Sequence, residues 1–98
     1  MKPTLPHTVT PYRTIGPFDQ STLPKGLLRD HNTKAGVWGL LEVLSGEVQY
    51  EVTEPGHAGT FTLSPSHPGV IVPLQKHHLK LTGDVTFRIT FHRREAEQ

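Results

Sequence analysis

The chain contains no cysteine. Disulfides and thiolate metal sites are thereby excluded, and the composition fits a reducing compartment. It also lacks a surplus of either charge: ten Lys and Arg against nine Asp and Glu leave a formal net charge of +1. That balance is too even for a surface that neutralises nucleic-acid phosphates. Long apolar runs are missing as well. No stretch approaches the ~18–20 residues of a membrane span, and the opening MKPTLPHTVTPY has no apolar block of the kind a signal peptide needs. A cytoplasmic protein with no nucleic-acid or membrane partner is the expectation. Aromatic residues are few, one Trp, two Tyr and four Phe among 98 residues, which leaves material for one modest core rather than two.

Turn-forming residues are plentiful, with nine Gly and nine Pro. Pro3, Pro6, Pro11, Pro17 and Pro24 punctuate the first quarter of the chain. They bar a helix there and predict an extended, proline-rich N-terminal arm over residues 1–22, lying along the body of the fold or at a dimer edge. Farther on, Val48-Gln49-Tyr50-Glu51-Val52 alternates apolar and polar residues, and Val85 to Phe91 does the same. Val37 to Leu44 is a more evenly apolar strand, which Ser45-Gly46 is expected to turn back as a hairpin. With a short strand at Leu27-Leu28, and with Thr60–Leu63, Val70–Val72 and His77–Leu81, this makes about seven short strands and no amphipathic helix, the pattern of an all-β sandwich or barrel. The barrel is expected over residues 23–94, followed by a charged tail, 95–98.

Strand parity sorts the seven histidines. His77 shares a face with Leu79 and Leu81 and points inward, whereas His78 shares one with Lys80. His92 falls opposite Val85, Phe87, Ile89 and Phe91, toward solvent or a partner. On the strand from Val37 both faces are apolar, so Glu42 is either a pocket carboxylate or a surface charge, and Gly39 could leave room for a ligand. His31 lies in the polar turn Asp30-His31-Asn32-Thr33-Lys34, where its plainer role is to cap a backbone group. His57 and His67 sit in Gly- and Pro-rich loops and read as solvated. Lys34 is an anion clamp or a surface ammonium, and Trp38 a ligand platform or a packing residue.

The segments HNTK-x-GVW (His31 to Trp38) and LxVLxGxVxY (Leu41 to Tyr50), with a Pro-x-x-x-His step (Pro73 to His77), resemble the small cupin-type domain shared by YeaR-like proteins and the N-terminal part of TehB-type tellurite-resistance proteins. The resemblance runs from Leu23 to Arg93. It implies a single cupin-like double-stranded β-helix barrel of jelly-roll type, with a divalent metal (zinc, nickel or iron) held by His31 and His77. A full cupin site uses four ligands, and here Lys34 and Gly39 stand near two of those positions. A third ligand would then come from His78, Glu42, His92 or the N-terminal arm. The expected function is a small binding domain of a stress or detoxification system, holding a metal or small anion in a histidine-lined pocket with Lys34 and Trp38, most simply as a homodimer. The alternatives are a cupin-type oxygenase or isomerase, and a structural homodimer without a ligand site.

Overall fold

The computed structural model describes residues 3–95. Residues 96–98 of the expected tail and the first two of the arm lie outside the described residues. Five strands form one antiparallel sheet: β1 (Val9–Asp19), β2 (Trp38–Val52), β3 (Gly59–Leu63), β4 (Gly69–Ile71) and β5 (His77–Arg94). Its only helical turn among the described residues is a short 3-10 turn, Lys25–Leu28, in place of the short strand expected at Leu27-Leu28.

β2 and β5 pair along their whole length, from Trp38 opposite His92 to Val52 opposite His77. Ser45-Gly46 is therefore not a hairpin turn, and Thr82-Gly83-Asp84 is not one either. Both segments are irregularities inside long strands, where the register shifts between Val43 and Ser45 and again between Gly46 and Val48. Such bulges bend a strand without ending it. Each expected hairpin is thus a single bent strand, and the bend creates two layers. In one layer the order is β1, β5, β2, β4; in the other β3 pairs with Val48–Val52 of β2.

A single core lies between the layers. Leu41, Val43, Val85, Phe87 and Ile89 come from one side of the bend, and Val48, Tyr50, Val52, Leu63 and Leu79 from the other. The sheet does not close: β1 and β3 stand at opposite ends of the path β1-β5-β2-β3. The expected closed barrel is corrected to an open, folded antiparallel sheet. Residues 9–19 of the expected arm form the edge strand β1, whose Pro11 and Pro17 lack the N–H groups that would recruit a further strand. Gly39 leaves no room for a ligand, because a Cβ there would come within 2.9 Å of Ile71 Cδ1.

Candidate functional site

HNTKAGVW is a loop pinned at both ends. His31 and His77 exchange backbone hydrogen bonds, each N–H donating to the other's carbonyl at 2.9 Å, which docks the loop on the free edge of β5. The Leu74 N–H donates to the Thr33 carbonyl, the Thr33 hydroxyl to the Val37 carbonyl, and the Val37 N–H to the Lys34 carbonyl. Gly36 sits at φ +77°, a conformation that costs a residue with a Cβ, and so closes the turn before β2 begins.

The backbone pairing sets the two imidazoles against each other, ring centres 4.2 Å apart and planes at 67°. Nδ1 of His31 lies 2.7 Å from the Arg29 carbonyl and Nδ1 of His77 2.8 Å from the Gln75 carbonyl. A carbonyl only accepts, so both rings carry a proton on Nδ1. His77 is 1% exposed and has the Tyr50 ring 5.2 Å away. Burial holds the His77 imidazole down to about 4, with the neighbouring histidines adding to the effect. It is neutral at pH 7. The Tyr50 hydroxyl is buried with no hydrogen-bond partner among the described residues, and burial pushes this phenol above its ordinary range.

His78 lies on the opposite face, between two carboxylates. Its Nδ1 is 2.8 Å from Asp30 Oδ1 and its Nε2 is 2.6 Å from Glu51 Oε1. Carboxylates accept, so both nitrogens donate only as the imidazolium, and the hydrogen bond to Asp30 leads in raising the His78 pKa. The ion pair ties the start of the His31 loop to β2 and β5. In Asp30→Asn the His78 titration, followed by the NMR shifts of its ring protons, should fall back toward the ordinary histidine value. An unchanged titration would show that Asp30 does not hold the proton.

The remaining candidates are scattered. Glu42 is on the outer face, where Arg88 Nε donates to its Oε1 at 3.2 Å, so it is a paired surface charge. Trp38 and His92 are register partners away from His31 and His77. His92 is on the outer face, as parity requires, yet only 9% exposed, and its Nδ1 meets the Thr90 carbonyl. Lys34 lines a separate cleft with Tyr12, Arg13 and Phe91. His57 is exposed, as is His67, whose Nδ1 lies near the Ser64 and Ser66 hydroxyls. Sequence alone does not single out Asp30 or Glu51. The one available signal is parity: with Val48, Tyr50 and Val52 inward, Glu51 faces outward on the side His78 shares.

The class defined by the fold is a small open antiparallel β domain, with no α-helix among the described residues. Residues 13–89 match the TehB-like domain family, and the chain belongs to it. Over 76 residues it is 33% identical to a protein named probable S-adenosyl-L-methionine-dependent methyltransferase TehB in two strains of Haemophilus influenzae, covering 74% of this chain and 27% of each relative. The crystal structure of TehB from Haemophilus influenzae superposes with a TM-score of 0.79 at 27% identity, over 90% of this chain and 32% of that one. A crystal structure of an E. coli strain K12 protein has the same fold, with a TM-score of 0.85 at 22% identity, covering 95% of this chain and 98% of that one. The chain thus spans about a quarter of the length of its curated relatives.

These relatives overturn the expected function. A detoxification domain holding a metal or small anion in a pocket lined by His31 and His77, with its oxygenase, isomerase and structural-dimer alternatives, gives way to a domain whose relatives are named as methyltransferases. The side chains agree: His78 is spent on two carboxylates and Glu42 on Arg88, and among the described residues no three His, Asp or Glu are grouped to hold a metal ion. Nor do the described residues fit the methyl donor in those names. In open α/β sheets such cofactors bind beyond the carboxyl ends of parallel strands, beside a helix N-terminus; every strand pair here is antiparallel and no α-helix is present among the described residues, so they do not form a site of that kind.

Proposed function

We propose that this chain is an accessory module of a methyltransferase system, carrying no methyl-transfer chemistry itself and serving a catalytic unit in a separate segment or separate chain. The observation that carries the reading is the partial coverage of the relatives: the match is confined to about a quarter of proteins named for methyl transfer. The rest of each relative is long enough for a nucleotide-binding domain. The same fold makes up nearly the whole of the E. coli chain, so it can stand in a chain of its own beside a separate catalytic unit. On this reading the protein works in the cytoplasm, in keeping with a chain free of cysteine. Its folded sheet is a reduced, open relative of the cupin barrel, and the methyl acceptor is an oxyanion of tellurium or a chemical analogue.

The test is a chimaera in which this chain replaces the matching segment of the Haemophilus influenzae relative. With tellurite as acceptor, removing the segment should lower consumption of S-adenosyl-L-methionine by about tenfold or more, equivalent to ~1.4 kcal/mol of transition-state stabilisation. Fusing this chain in its place should restore most of the loss. A folded chimaera that still binds the methyl donor but turns over no faster than the truncated enzyme would refute the accessory role.

A further inference from the structure

We propose that the cleft between β1 and the His31–Val37 loop binds a small organic carboxylate with an apolar body. The cleft is open to solvent along one side, has a volume of about 340 Å³ and is lined by Tyr12, Arg13, Asn32, Lys34, Val37 and Phe91, together with Thr33. That volume lies at the small end of the range typical of ligand pockets. Two of the lining residues are cations and none is acidic. Neither Arg13 nor Lys34 is in an ion pair among the described residues, whose three pairs are His78 with Asp30, His78 with Glu51 and Arg88 with Glu42.

The backbone brings these residues together for an identifiable reason. In a regular strand Tyr12 and Arg13 would point to opposite faces. Here the register of β1 against β5 slips, with Pro11 opposite His92 and Arg13 opposite Phe91, so Tyr12 is the extra residue of a bulge. A bulge re-aims side chains, and this one delivers both Tyr12 and Arg13 to the same cleft. The Arg93 guanidinium lies 4.1 Å from the centre of the Tyr12 ring, a cation–π contact that steadies the aromatic wall. The opposite wall is the loop held by the His31–His77 pairing and the Thr33 contacts, so Lys34 projects from a fixed turn.

The chemistry of the lining selects the ligand class. A planar guanidinium matches a carboxylate with two parallel donors, and a nearby ammonium adds charge without a geometric demand. Val37, Phe91 and the Tyr12 ring offer apolar surface to the remainder of the ligand, which a bare inorganic anion would leave uncovered. No histidine lines the cleft, so it is distinct from the His31–His77 pair.

The test uses the chain alone, without a methyltransferase, so its failure leaves the accessory role standing, and failure of the chimaera leaves the cleft standing. Benzoate is titrated into the ¹⁵N-labelled protein and the amide shifts are followed. Saturable shifts are expected at Arg13, Asn32 and Lys34. Binding should weaken about tenfold or more in R13Q/K34Q, as loss of charge-assisted hydrogen bonds requires. It should be unchanged in K80Q, whose lysine is exposed on the far half of β5. Neutral benzamide and inorganic phosphate should each bind more weakly than benzoate. The same spectra show whether each variant is folded. The proposal fails if benzoate gives no localised shifts, if R13Q/K34Q binds as well as wild type, if benzamide binds equally, or if phosphate does.

Discussion

Replacing Gly46 with alanine should cost the domain about 3 kcal/mol of stability, the sum of left-handed backbone strain and forced overlap with neighbouring backbone. Gly46 stands at φ +78°, and a Cβ on it would run into the Asp84 carbonyl oxygen. The obstacle is backbone of the partner strand at the bend, so no side chain can swing aside. Gly36 supplies the control. It has φ +77° but nothing within 4 Å of the added carbon, so Gly36→Ala should cost only the strain, about 1 kcal/mol. Urea unfolding of the two variants separates the effects. If Gly46→Ala loses no more than Gly36→Ala, the close approach of the two long strands is not what requires glycine. Against a typical total of ~5–15 kcal/mol, the larger loss would leave a small domain close to unfolding at moderate temperature.

Gly46 also shows where local sequence stops informing the fold. Ser-Gly between two apolar segments has the composition of a hairpin turn, and nothing within ten residues distinguishes a chain that reverses from one that bends. The difference lies in β5, whose own irregularity at Thr82–Asp84 sits opposite and lets both strands continue. Pairing between residues some forty apart decides it. Parity, by contrast, depends only on neighbours, and it places His77 among Leu79 and Tyr50 and His78 outside. The all-β class was legible for the same reason. Tyr12 and Arg13 were hidden from sequence because a single unpaired residue, visible only in the register against β5, changes which face each occupies. Asp30 and Glu51 meet His78 across 48 and 27 residues, distances at which side-chain type carries no positional signal.

The adjacent His77 and His78 should give the domain opposite responses to pH. His77 titrates near 4 in the fold because it is buried, against 6.5 unperturbed. Above about pH 6.5 neither folded nor unfolded chain protonates it, and it has no effect. As pH falls through 6.5 toward 4, the unfolded chain binds a proton that the fold refuses, and stability drops by up to about 3 kcal/mol. His78 is raised by Asp30 and Glu51. Its contribution is complete below the unperturbed value and is lost as pH rises through the folded-state value. Stability should therefore peak slightly below neutrality, falling on the acid side because of His77 and on the alkaline side because of His78. Urea midpoints from pH 4.5 to 8.5, followed by the fluorescence of the single Trp38, test both limbs. His77→Gln should flatten the acid limb and leave the alkaline one, and His78→Gln should do the reverse. An acid limb equally steep in wild type and His77→Gln would mean that the buried imidazole accepts its proton in the fold after all. The ring would then have to turn away from Tyr50 and toward water, opening the seam where the His31 loop docks on β5.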